Sequence, residues 1–188
     1  RFELNNLTPG SGAFYISSIQ LSSELTKTIT NYDIKICGTQ VNSENASKVQ
    51  GDYLSGGIKF TPASSSNNNT NTLTLNDATI NGYIEYKSSA PLIIEFSGVN
   101  KVGVQNPGYI TSDVTTSLTL KRKGEVSSSL SFSNSSSGLN YSSISGFSNV
   151  EILEGVYMQS SEFCRYVANN YKDFYGQLVK YLTFTTTP

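Results

Sequence analysis

The sequence predicts an all-β fold, built as a short parallel β-solenoid with an N-terminal antiparallel hairpin and a C-terminal cap. Three observations predict it. Ser, Thr and Asn number 30, 18 and 18 of the 188 residues. Such side chains hydrogen-bond their own backbone and favour turns over helix interiors. Leu, Ile, Val and Phe still number 48, about a quarter of the chain and above the roughly 20% below which chains stay disordered. Finally, apolar-polar-apolar triplets recur through the middle of the chain, each followed by a turn.

The length suits one domain over residues 1–188. Residues 1–12 mix Asn5, Asn6, Pro9, Gly10 and Gly12 with few apolar residues, and read as a linker or edge. Residues 13–60 form the hairpin region. Phe14 and Ile16, then Ile19 and Leu21, suggest two short strands. Tyr32, Ile34 and Ile36 alternate with Asp33 and Lys35, the period of a half-buried strand. Gly38 can supply the positive φ of a tight turn before Thr39–Val41. Asn42 to Val49 resembles a capped helical turn, with Ser43 or Asn45 as N-cap.

Residues 61–158 are the solenoid-like core. It opens with the polar tract Ser64 to Asn71, an expected loop tip. Four units then follow: Leu73-Thr74-Leu75, Ile94-Glu95-Phe96, Leu118-Thr119-Leu120 and Val150-Glu151-Ile152. Their offsets are 21, 24 and 32 residues, the last with room for another strand pair at Leu130-Ser131-Phe132. Offsets of about 20 residues suit one coil of a solenoid, whose repeats bury their apolar faces against their neighbours. The alternative is an antiparallel β-sandwich, because alternation does not give strand direction. Residues 159–188 form an aromatic cap. Here Phe163, Val167, Tyr171, Phe174 and Leu178 fall three or four apart, a helical period. Asn169-Asn170 and Gly176 oppose a helix; the expectation is one helix, or a helix followed by a strand over Tyr181 to Phe184.

A net charge of −1 offers no basic face for nucleic acid. No His is present, which removes the commonest general base and zinc ligand. No Trp is present, leaving 12 Tyr for stacking on sugars. Cys37 and Cys164 are too few for a four-thiolate metal site; they form one disulfide or remain buried thiols. No apolar run of 18 residues exists, so no membrane insertion is expected. No cofactor or metal is expected either. Low Lys with high Ser, Thr and Asn suggests a secreted or cell-surface protein. Arg1 at the start fits a mature or truncated product whose targeting signal is missing.

In a solenoid, the middle residue of each triplet points outward. This predicts an exposed column of Thr74, Glu95, Thr119 and Glu151 that a polymer can follow. With Ile84 and Tyr86 facing in, Tyr83, Glu85 and Lys87 face out and can join it as a sugar subsite. The plainer alternative makes all seven ordinary solvated β-surface. Glycoside hydrolysis needs two carboxylates about 5–10 Å apart, and Glu151 with Glu154, in an expected turn, is a poor pair. For a polysaccharide lyase, Lys121-Arg122-Lys123 is the one basic concentration, and it reads better as a charged turn. No Gly-x-Ser-x-Gly elbow or phosphate loop occurs. No catalytic residue is therefore assigned.

The stretch Tyr32-Asp33-Ile34-Lys35-Ile36-Cys37-Gly38-Thr39-Gln40-Val41 and the later Asn71-Thr72-Leu73-Thr74-Leu75-Asn76-Asp77-Ala78-Thr79-Ile80 carry a resemblance. Over roughly residues 32–102 the chain resembles a secreted, surface-associated family of gut Bacteroidetes and Clostridia. In that family a hairpin precedes repeats of the N-T-L-T-L-N-N-A-T-I type. The resemblance implies a right-handed parallel β-helix and a carbohydrate-binding or adhesin-like role, with no catalytic motif. The expected function is non-catalytic binding of polysaccharide or host glycan. The alternatives are a structural or adhesive module contacting protein and, less favoured, a carbohydrate-active hydrolase or lyase.

Overall fold

A computed structural model describes residues 27–124, 127–135, 142–159, 164–173, 175 and 177–187. The strands expected around Phe14–Leu21 lie outside the described residues, as does the expected start of the C-terminal helix. The described chain is all-β. In order it forms β1 (Asn31–Ile36), β2 (Thr39–Asn42), β3 (Leu54–Thr61), β4 (Asn71–Ile80), β5 (Ile84–Tyr86), β6 (Leu92–Ser97), β7 (Val99–Val102) and β8 (Ile110–Ser112). There follow β9 (Ser117–Arg122), β10 (Ser129–Ser133), β11 (Ile144–Ser145), β12 (Asn149–Ile152), β13 (Tyr157–Gln159), β14 (Cys164–Val167), β15 (Asn170–Asp173) and β16 (Tyr181–Thr185).

The hairpin forms where local alternation and turn chemistry agree. β1 and β2 pair antiparallel. Cys37 and Gly38 both take positive φ, 49° and 78°, the backbone of a turn that matches strand twist. After β2, the Asn42 carbonyl accepts the Ala46 N–H at 2.9 Å. The Asn42 side chain accepts the N–H groups of Glu44 and Asn45. Asn42 is thus the capping residue, in place of Ser43 or Asn45, and a turn forms without a helix. The polar tract makes a 3-10 turn, Ser65–Asn67, whose flanking Ser64 and Asn68 are exposed.

Two mixed sheets enclose one core. The larger has the order β12-β9-β6-β4-β7-β10-β16-β13, with β3 also on β4; the smaller has β14-β15-β11-β8-β5-β1-β2. β6 lies parallel to both β4 and β9, and β9 to β12. In the same way β7 lies parallel to β4 and β10, and β8 to β5 and β11. An antiparallel sandwich would need these neighbours to oppose. Antiparallel strands stand at the ends instead: β3 on β4, β1 on β5, β16 on β10 and β15 on β11. β4 changes partner along its length, from β6 to β7. It bends at Asp77, φ 47°, whose carboxylate accepts the Val99 N–H at 2.9 Å. A Cβ on Gly98 would lie 2.1 Å from that carboxylate oxygen, so only glycine fits beside the bend.

The inward residues of both sheets meet in one buried cluster running from Ile34 to Phe184, which includes Leu73, Ile94, Phe96, Leu118, Leu120, Phe132 and Phe147. The expected register holds at its first step, where Leu73 pairs with Ile94 and Leu75 with Phe96. It is corrected at the next: Leu118 pairs with Leu92, and Leu120 with Ile94. The C-terminal helix is also corrected. Among the described residues no α-helix forms there; β14 and β15 make an antiparallel hairpin. Ala168 and Asn169 turn it with φ 48° and 60°, angles no right-handed helix contains. The strand expected at Tyr181–Phe184 is β16.

Candidate functional site

The register divides the expected outward column. Thr74 and Glu95 are neighbours on β4 and β6, and Thr119 and Glu151 are neighbours on β9 and β12. The neighbour of Glu95 on β9 is Lys121, two residues beyond Thr119. Lys121 Nζ donates to Glu95 Oε1 at 3.0 Å. The column is therefore two short files offset by two residues, and one of its carboxylates is held by an ammonium. Tyr83, Glu85 and Lys87 do not join it: they lie on the smaller sheet, whereas the column lies on the larger one.

β5 presents Glu85 outward while Ile84 and Tyr86 are buried. Glu85 neighbours Lys35 on one side and Thr111 on the other. Lys87 is exposed and pairs with Asp113 at 3.4 Å. Glu85 and Lys87 border a shallow depression of about 120 Å³ with Tyr32, Asp33, Lys35 and Gln40. These charges are solvated, and such pairs contribute little.

Tyr83 leads to a larger feature. Ile36 pairs with Ile84 and Ile84 with Ile110, which sets Cys37, Tyr83 and Tyr109 in one outward file. The Cys37 N–H donates to the Tyr83 carbonyl at 2.8 Å, and the Ile84 N–H to the Tyr109 carbonyl at 2.9 Å. The Tyr83 and Tyr109 rings stack, with centroids 5.3 Å apart and planes 9° from parallel. That spacing follows from the separation of adjacent strands, about 4.8 Å. Around the pair opens a cleft of about 400 Å³, lined by Cys37, Tyr53, Asn81, Gly82, Pro107 and Asn106 as well. Ligand clefts typically span about 300–1,000 Å³.

The cleft walls are built, not loose. Asn81 Oδ1 accepts the N–H groups of Gln105 and Asn106 at 2.7 and 3.1 Å, and Asn106 Nδ2 donates back to the Asn81 carbonyl at 3.1 Å. Gly82 sits beside the thiol: a Cβ there would lie 2.9 Å from Cys37 Sγ. Tyr53 stands at the rim, 55% exposed. Burial pushes the Cys37 thiol above its ordinary range, so it is a weak nucleophile at neutral pH. Among the described residues, no charged side chain lines this cleft.

Of the residues lining this cleft, sequence reasoning names Tyr83 as a sugar-subsite candidate and does not single out Tyr53, Asn81, Asn106, Pro107 or Tyr109. One signal was available: Gly82-Tyr83-Ile84 recurs as Gly108-Tyr109-Ile110. Cys37 and Cys164 are not joined by a disulfide. They sit on β14 and at the end of β1, with β15, β11, β8 and β5 between. That is about 24 Å of sheet, against the roughly 4.4–6.8 Å between Cα atoms that a disulfide spans. Cys164 instead directs its Sγ to Met158 Sδ at 3.6 Å. Among the described residues no helix is long and apolar enough to cross a membrane. Compared with family models, curated proteins and solved structures, the chain matches none of them.

Proposed function

We propose that this protein is a non-catalytic module, secreted or at the cell surface, that binds polysaccharide or host glycan through the Tyr83–Tyr109 cleft. The observation that carries the reading is the stacked pair of half-buried tyrosines opening into a cleft whose other polar side chains are the amides of Asn81 and Asn106, the Tyr53 hydroxyl and the Cys37 thiol. Aromatic rings offer an apolar face for the C–H side of a sugar ring, and amides offer hydrogen bonds to hydroxyls. The cleft lining holds no carboxylate among the described residues, whereas glycoside hydrolysis ordinarily runs on a pair of them. We further propose that the parallel strands form a short right-handed β-helix capped by antiparallel strands. The surface-protein family that residues 32–102 resemble favours the same reading.

Affinity electrophoresis in gels carrying soluble polysaccharides, with a glycan array, tests it. Wild-type protein is expected to be retarded by at least one polysaccharide. Tyr83→Ala is expected to weaken that binding about tenfold or more, roughly 1.4 kcal/mol. If no glycan binds, or Tyr83→Ala binds as wild type does, the reading fails. A protein-contacting adhesive module is the second reading. β13 favours it: this strand ends the larger sheet and exposes Tyr157, and strand edges can pair with another chain. Capture of host matrix proteins, lost on Tyr157→Pro, would favour it.

A further inference from the structure

The outward file on the smaller sheet has a step in it. Its positions are Cys37, Tyr83, Tyr109 and, one strand further, Ser143, because Ile110 pairs with Ile144. Ser143 is fully buried. Its N–H donates to the Val179 carbonyl at 3.0 Å, and its hydroxyl donates to the Lys180 carbonyl. The chain itself therefore covers the file beyond Tyr109. At the other end a two-atom thiol side chain stands where the next two positions carry phenol rings. Gly82, beside it, carries no side chain. The cleft lies there, between this short step and the rim residue Tyr53.

We infer that the cleft continues the aromatic stack with a ligand ring, and that this ring is an uncharged sugar. The inference rests on the glycan-binding reading and narrows it to neutral glycans. A uronic or sialic acid would bring a carboxylate into a lining of three tyrosines, a proline, a thiol and two asparagines. Among the described residues none of these can neutralise it, and desolvating an unpaired charge is costly. A neutral pyranose brings a C–H face for the rings and hydroxyls for the amides. Asn81 is already engaged in holding residues 105–106. Asn106, exposed in the lining, donates once through Nδ2, and its Oδ1 has no protein partner among the described residues, which leaves it able to accept from a hydroxyl.

Cys37 gives the site a chemical readout of its own, beside retardation in a gel. The full chain is alkylated with iodoacetamide at alkaline pH, and modification of Cys37 and Cys164 is followed separately by peptide mass mapping. Cys164, at the far end of the sheet, is the internal reference. The probes are cellohexaose, xylohexaose and maltohexaose as neutral chains, and hexagalacturonate as an acidic one. A neutral chain at ten times its measured Kd is expected to slow Cys37 alkylation about tenfold and leave Cys164 unchanged. Hexagalacturonate is expected to protect neither. Cys37→Phe, which fills the step, is expected to abolish retardation by neutral polysaccharide. Should that variant fail to fold, thiol protection carries the test. Equal protection by hexagalacturonate overturns the neutral selectivity and leaves glycan binding standing. Retardation by a glycan without protection of Cys37 overturns the seating of the ring in this cleft. If no glycan binds by either method, the underlying function falls as well.

Discussion

Asn100 shows how a polar residue can hold an all-β core together. It is 1% exposed. Its Oδ1 accepts the Ala78 N–H at 2.9 Å, and its Nδ2 donates to the carbonyls of Ser97, Gly98 and Ser129 at 2.9, 3.2 and 3.1 Å. One side chain thus ties together β4, the bend at Gly98 and β10. A buried donor or acceptor stripped of its partner costs about 1–3 kcal/mol. Asn100→Ala strands several at once, and urea denaturation is expected to show a loss of about 3 kcal/mol. A loss below about 0.5 kcal/mol, the usual size of a surface substitution, would mean the bend does not depend on this amide. Asn71 acts similarly: its Nδ2 donates to Tyr86 Oη at 2.7 Å and its Oδ1 accepts the Ala63 N–H at 2.7 Å. Neither residue stands out in a chain so rich in asparagine, because the sequence does not show which amides are inside.

At the scale of elements, the β14–β15 hairpin corrects the clearest helical pattern in the sequence. Tyr166 and Tyr171 are directly opposite across it, with ring centroids 5.2 Å apart in an edge-on arrangement. Spacing of three and four residues counts side chains on one helical face. It does not register that Ala168 and Asn169 can turn the chain between two facing tyrosines. Tyr166 donates its hydroxyl to the Phe147 carbonyl at 2.7 Å, and burial pushes its pKa from 10.0 up to about 12. Burial also raises Tyr171, and the nearby Cys164 and Tyr166 raise it further. A folded pKa above the unfolded one means that the unfolded chain loses its proton first as pH rises. The stabilisation is whole below pH 10 and drains between about 10 and 12. Urea midpoints measured from pH 8 to 12 should therefore fall across that window, and fall less steeply in Tyr166→Phe. Identical slopes in the two proteins would show that Tyr166 ionises as freely folded as unfolded.

For the whole molecule, the governing fact is the register of the parallel strands. Glu95 lies beside Lys121, not Thr119. Neighbouring strands are about 4.8 Å apart, and a two-residue slip adds roughly 6.6 Å along the strand. In a background lacking Cys37 and Cys164, Glu95→Cys with Lys121→Cys is expected to oxidise readily to a disulfide. Glu95→Cys with Thr119→Cys is expected to stay reduced, because their Cα atoms stand about 8 Å apart, beyond disulfide reach. The opposite outcome on a non-reducing gel would restore the single column Thr74, Glu95, Thr119, Glu151.

Parts of this were legible in the sequence. The hairpin at Tyr32–Val41 combines alternation with a turn glycine, both local signals. The pairing of Leu73 with Ile94 was visible because matching triplets stand next to each other. The placement of Leu118 was not, because a slip of two residues leaves every inward side chain inward. The cleft was half visible: its tyrosine pair repeats as Gly-Tyr-Ile, while Cys37, Tyr53 and Pro107 arrive from stretches with no shared pattern.

By itself, the sequence determined that the Tyr32–Val41 hairpin and the triplet segments from Leu73 to Leu120 are β, and which face of each turns toward the core. Those properties follow from side-chain alternation and turn chemistry, which act within a few residues. Only the tertiary structure decided which strands are neighbours, in what register, and therefore that a thiol and three tyrosines surround one cleft. Adjacency is won by burying the apolar faces of distant segments together, and that free energy belongs to the assembled core rather than to any stretch of chain.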